Sequence, residues 1–305
     1  MVLEPFRATT LTVEGMEDVS TDPEKRFVWR LQRASHEGVT DESMGDDWAY
    51  TGGPQATVTV DRPGTVYILS VKQFDDKTEV VVAEGRTKVS CKYVRREIRE
   101  LTHADREAFF DAMEIWYTIP KNEGRIKYGP EFDNYQRVVA IHNSNIDNFC
   151  YHIGNQFLTS HAAFDLVVER YLQMINPKVS LPMWDYMIDS AALGEKWYNS
   201  ILFDPEWFGS AIGNPENDFM LADSRFSNIS TIFDPEGSLV GSTINTYHNA
   251  YGLVAALSNY QDSPRLTRTS TFCGLASHTT FATAEEFISC FEESSTLVEW
   301  EDCME

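Results

Sequence analysis

The chain has 305 residues, 42% of them apolar and 24% charged, the composition of a soluble globular protein with room for roughly two domains. Its 47 acidic residues against 25 basic ones give a net charge of −22, a field that repels phosphates and argues against nucleic acid or an anionic membrane surface as partners. No apolar run reaches the ~18 residues of a membrane span, and MVLEPFRATT lacks the basic start and apolar stretch of a secretory signal, which is expected to be absent or already removed.

Residues 1–95 are expected to form a β-rich accessory module. Six stretches alternate as strands do: ATTLTVE, RFVWRLQR, ATVTV, TVYILSVKQF, TEVVVAE and TKVSCKYV. Asp75, Asp76 and Lys77 supply a polar turn between the fourth and fifth. Short strands at this spacing predict a β-sandwich.

The pattern changes near residue 96. Thr102 can cap a helix, with Asp105 three residues on and the helical run REAFFDAMEIWY behind it. From here to residue 305 the periodicity is helical, with sizeable loops. His103 falls in the first turn of that helix and His36 in a polar loop, both expected to face solvent.

Further on, Phe132, Tyr135, Val138 and Val139 recur at helical spacing, and His142 continues their inward face. His161 begins a second apolar face with Phe164, Val168, Leu172 and Ile175, on a helix expected to end at Asn176-Pro177. His152 lies between them, in a segment that reads as a loop leading into the second helix. Three imidazoles from helix, loop and helix suit copper or zinc. The same spacing also suits histidines packed in a core.

Five cysteines, Cys91, Cys150, Cys273, Cys290 and Cys303, make an odd count without a C-x-x-C pair, so zinc-ribbon spacing is absent. Cys150 is the candidate for a role other than disulfide pairing. Cys273, Cys290 and Cys303 can pair among themselves or with Cys91, and spacing does not choose between these. With 47 acidic residues, two neighbouring carboxylates say nothing about a glycosidase-like pair.

These residues resemble the copper A motif of the tyrosinase family, the type 3 copper proteins that include catechol oxidases and molluscan haemocyanins. That motif places a histidine nine residues before a second one, in the form H-R-x-[FY]-L-x-x-x-E, followed by P-x-W-D. His152 and His161 have the nine-residue offset, Phe164 and Glu169 match the aromatic and the acid, and Leu181-Pro182-Met183-Trp184-Asp185-Tyr186 matches the later block. His142 fits the first, variably spaced histidine. Ala162 departs from the usual arginine. Cys150 stands where relatives carry a cysteine joined by a thioether to the second ligand.

The resemblance implies an α+β multidomain chain: a β-sandwich-like module, then a mainly α-helical copper domain over 96–305 with a helix-bundle core, incomplete at its C-terminal end. It implies His142, His152 and His161 as copper A ligands, with Cys150 linked to His152. It also implies a copper-dependent oxidoreductase of the tyrosinase, catechol oxidase or polyphenol oxidase type, a monooxygenase in the family's fullest activity. Dioxygen and a phenolic small molecule would be its substrates and an o-quinone its product. Glu169 and Asp185 are expected to be structural. The alternative is a haemocyanin-like oxygen carrier or a copper-binding protein without turnover.

The family's copper B site needs an H-x-x-x-H pair and a further histidine, whereas only His248 and His278 follow His161, 30 residues apart. FATAEEFISCFEESSTLVEWEDCME resembles the segment that precedes that pair. The expectation is a chain that stops short of copper B, holds one copper at most and oxidises phenols little by itself, with the copper B half lying downstream or on a separate chain. The family and the extra cysteines favour a secreted or vesicular origin.

Overall fold

The computed structural model describes residues 1–14, 25–34, 47–75, 77–135, 137–138, 157–217, 219–229, 266, 268 and 280–304. They fall into two compact units, Met1–Arg95 and Arg96–Glu305.

Among its described residues the first unit has seven strands: β1 (Val2–Leu3), β2 (Thr9–Thr12), β3 (Lys25–Arg33), β4 (Trp48–Gly52), β5 (Gln55–Val58), β6 (Val66–Asp75) and β7 (Val81–Cys91). Five form one sheet in the order β1-β7-β6-β3-β4, with β1 parallel to β7, while β2 and β5 pair as a separate antiparallel ribbon. Strand alternation sends Phe27, Trp29 and Leu31 of β3, Tyr67 and Leu69 of β6, and Val89 of β7 into one core. Leu11 of β2 and Ala56 and Val58 of β5 join them from the ribbon.

A sandwich of two comparable sheets is therefore not what forms. Most strands join one sheet, and only the two four-residue strands β2 and β5 make a second layer. TEVVVAE and TKVSCKYV are one continuous strand, because Gly85 stays in register opposite Val71 of β6 and does not interrupt the ladder. Asp75 closes the β6–β7 hairpin by accepting from the backbone N–H groups of Lys77 and Thr78 at 3.0 and 2.9 Å.

The second unit has six helices among the described residues: α1 (His103–Thr118), α2 (Lys121–Tyr128), α3 (Phe157–Ile175), α4 (Tyr186–Leu193), α5 (Ala284–Glu293) and α6 (Leu297–Met304). Tyr135, Arg137 and Val138 are also helical. Thr102 caps α1 by accepting from the Asp105 N–H at 3.2 Å, and its own hydroxyl donates to the Asp105 carboxyl group. His103 is exposed in the first turn.

The helix-bundle core expected here is also corrected. α1 and α3 pack together, with Trp116 stacked on Tyr171 at 6.3 Å, but irregular chain supplies much of the remaining core. Leu202, Trp207, Leu221, Phe226 and Ile229 are buried there, and Phe110 of α1 meets Phe208, Phe226 and Trp207 edge-on at 5.0, 5.9 and 6.2 Å. Pro182, Gly194, Pro205, Gly209 and Pro215 interrupt helical pairing through this region. Short 3₁₀ turns at Gly194–Asn199, Ile201–Phe203 and Pro215–Asn217 satisfy the backbone locally instead.

The α5–α6 hairpin is pinned by a Cys290–Cys303 disulfide with its Cα atoms 5.7 Å apart. Cys91, in the other unit, is a free and fully buried thiol. Cys150 and Cys273 lie outside the described residues.

Candidate metal centre

The sequence places its metal candidates around α3. That helix forms because Phe164, Val167, Val168, Tyr171, Leu172 and Ile175 make an apolar stripe that packs into the core. It ends where Pro177 cannot continue it, with the Asn176 side chain accepting from the Lys178 N–H at 3.1 Å. His161 sits in the N-terminal half of α3, one turn before Phe164, and is half-buried. His142, His152 and Cys150 fall outside the described residues, as do His36, His248 and His278.

Two turns beyond His161, the carboxyl group of Glu169 is buried and accepts a 2.8 Å bond from the Leu181 N–H. This fixes α3 to the Leu181–Tyr186 block. Met183 in that block pairs with the chain before α1: its N–H donates to the Arg96 carbonyl and its carbonyl accepts from the Ile98 N–H, both at 2.9 Å. Asp185 caps α4, accepting from the Met187 N–H at 3.2 Å. Glu169 and Asp185 thus have the structural roles expected of them.

Behind the block lies an ionic group that the sequence did not announce. Asp189 of α4, only 4% exposed, accepts from the Trp184 indole N–H at 2.6 Å and from Arg99 Nη1 at 3.0 Å. Arg99 also donates to Glu97 Oε1 from Nε and Nη2, at 2.9 and 2.7 Å, and to the Asp185 carbonyl at 2.9 Å. Those bonds to Glu97, more than the nearby Asp189 charge, make the guanidinium harder still to deprotonate. Trp184 is thereby held edge-on to Phe281 at 5.0 Å and Phe203 at 5.9 Å. An aspartate on an apolar helix, three residues after a tyrosine, carries no signal that could have revealed this pairing.

The chain that leads toward His142 is anchored as well. Phe132 is fully buried in room that Gly124 of α2 leaves open. Asp133 pairs with Lys121 at 3.1 Å and Arg125 at 3.5 Å, and its carbonyl accepts from the Trp116 indole at 3.0 Å. Tyr135 lies on Tyr117 of α1 at 4.9 Å, and Phe132 meets Tyr171 of α3 at 6.1 Å. Burial raises the phenol pKa of both Tyr117 and Tyr171. Residues 132–138 and α3 are therefore parts of one aromatic core around α1.

Among the described residues no three His, Cys, Asp or Glu side chains converge as a metal site. The donor set itself fits copper: three imidazoles by sequence, with His161 half-buried on a helix secured to its surroundings by Glu169.

The family model for the common central domain of tyrosinase matches residues 132–299, more than half of the chain and wholly within the second unit. The chain belongs to the tyrosinase family. A Caenorhabditis elegans relative named tyrosinase-like protein tyr-3 is 28% identical over 126 residues, which are 41% of this chain and 16% of that protein. The matched stretch thus spans about a sixth of the relative's length. The tyrosinase family is in general one of copper-binding oxidoreductases, and this chain carries its central domain.

Proposed function

We propose that this chain supplies the copper A half of a type 3 copper centre that oxidises phenols or catechols to o-quinones with dioxygen. The observation that carries this reading is the tyrosinase central-domain match beginning at residue 132, which spans His142, His152 and His161. Those three histidines would hold the ion through neutral imidazole nitrogens. When bound, copper would supply the one-electron chemistry with dioxygen that no protein side chain offers.

The remaining groups act on position. The Glu169–Leu181 bond holds the helix that bears His161, and the Asp189–Trp184 and Asp189–Arg99 bonds hold the block behind it. Cys150 would fix the ring of His152 through a thioether: a C–S bond replaces an S–H and a ring C–H, with two hydrogens passed to dioxygen. After His161 the sequence offers only His248 and His278, so one copper per chain is proposed.

The test is copper content and catechol oxidation by the full chain, with mass analysis of the peptide spanning Cys150 and His152. The expected result is copper held by wild type and lost on His142→Ala or His152→Ala, with a peptide lighter by two hydrogens after copper loading and exposure to air. Little catechol turnover is expected of a chain that holds one copper of a paired centre, so copper content and the lighter peptide carry the test. No copper binding at all rejects the proposal.

A further inference from the structure

A cleft of about 250 Å³ opens within the second unit, walled by Phe109, Trp184, Leu202, Phe203 and Phe208, and among the described residues its one charged lining residue is Arg268. We propose that this cleft binds a small molecule with an aromatic body and a single carboxylate, the carboxylate meeting Arg268. His161, the one proposed copper ligand among the described residues, does not line the cleft, and the inference does not rest on the copper reading.

The walls are held by contacts with one another and with the residues behind them. Trp184 is fixed by the indole bond to Asp189 at 2.6 Å and by its edge contact with Phe203 at 5.9 Å. Phe208 is wedged between Phe110 at 5.0 Å and Phe226 at 5.9 Å. The Arg268 backbone is held on both sides, its N–H donating to the Phe219 carbonyl at 2.8 Å and its carbonyl accepting from the Gly213 N–H at 3.1 Å. The site is therefore ready-made, and binding need not order it.

The guanidinium decides the ligand's charge. It has five N–H donors, and among the described residues its one side-chain hydrogen bond goes from Nη2 to the Phe208 carbonyl at 3.2 Å. No carboxylate of the described residues pairs with it, although the chain has 47 acidic side chains. A cation beside apolar walls without a counter-ion selects an anion, and a carboxylate matches the guanidinium fork. A second carboxylate would meet no second cation among the described lining residues and would be opposed by the net charge of −22.

Size decides the body. A volume of about 250 Å³ lies below the ~300–1,000 Å³ of typical ligand pockets, which limits the occupant to one or two rings. Edge-on and stacked contacts with Trp184, Phe203 and Phe208 favour a flat ring over a branched chain.

The experiment titrates the full chain with 3-phenylpropionate and, separately, with 3-phenylpropanamide, by calorimetry and tryptophan emission. It is repeated after copper is removed by a chelator, so that acid bound to metal is not counted. The acid is expected to bind at least about tenfold tighter than the amide with or without copper. Arg268→Gln should abolish that preference. Met183→Trp, at an exposed rim residue, should weaken both ligands by filling the mouth. Equal binding of acid and amide to the wild type, no binding of the acid, binding only with copper present, or a preference that survives in Arg268→Gln would each overturn the proposal. The wild-type comparison stands even if the Arg268 variant does not fold.

Discussion

The buried carboxyl group of Glu169 accepts a 2.8 Å hydrogen bond from the backbone N–H of Leu181, which joins the helix bearing His161 to the Leu181–Tyr186 block. Glu169→Ala leaves that partly buried donor unpaired and is expected to cost about 1–3 kcal/mol, with Glu169→Gln costing less because an amide oxygen can still accept. Chemical denaturation of the full chain measures both. Equal stability of Ala and Gln variants would mean that the Leu181 bond contributes nothing.

Asp189 is the shared partner of Trp184 and Arg99, with 5% of its side chain exposed. Asp189→Ala removes the described acceptor of the Trp184 indole and one of two carboxylate partners of Arg99, which keeps its bonds to Glu97, so the expected cost is about 1–3 kcal/mol. Asp189→Asn keeps an acceptor for the indole and should cost less. Tryptophan emission should shift in the Ala variant before global unfolding, since Trp184 loses its only described indole partner.

Two different cysteine behaviours are expected. Non-reducing peptide mapping should recover Cys290 linked to Cys303, and reduction should make the α5–α6 hairpin protease-sensitive. The main unfolding transition should move little, because no residue of α5 is buried. Cys91 is 0% exposed and burial raises its thiol pKa, so it should resist alkylation until the first unit unfolds.

Two carboxyl groups should give local pH responses of known sign. Glu286 lies below its ordinary 4.5 because the Thr283 N–H, and then the Thr283 hydroxyl, bond to it. Asp75 lies below 3.8 chiefly through the Thr78 N–H and hydroxyl. In each case the folded group holds its proton less firmly than the unfolded one, so the stabilisation is complete above the ordinary value and is lost as pH falls through the lowered one. Amide exchange at Thr283 and Thr78 should therefore accelerate, relative to a peptide control, only in that acid range. Glu286→Gln and Asp75→Asn should remove the dependence.

Local pattern carried much of this structure. The Thr102 cap, the turn at Asp75 and the end of α3 before Pro177 each follow from neighbouring residues, and all were legible. The sandwich was not: alternation shows that Leu31 and Val58 face inward, but it is the same whether their strands share a sheet or face each other across a core. The bundle misled for a related reason, since Trp207 and Phe226 bury their rings from irregular chain that carries no period. The helix that carries His161 and Glu169 was readable because its apolar residues recur at helical spacing up to Pro177. The Asp189–Arg99 pair spans 90 residues, and the Cys290–Cys303 choice depends on how α5 and α6 fold back, so neither was accessible from spacing.

Copper bound per chain, measured by metal analysis of copper-loaded wild type beside His161→Ala, tests the central claim most directly. Wild type is expected to retain about one copper, and His161→Ala, with its fold verified by circular dichroism, to lose at least about tenfold in affinity, as removal of an imidazole ligand requires. Copper retained at wild-type affinity in the folded His161→Ala variant would contradict the assignment of this helix to the metal.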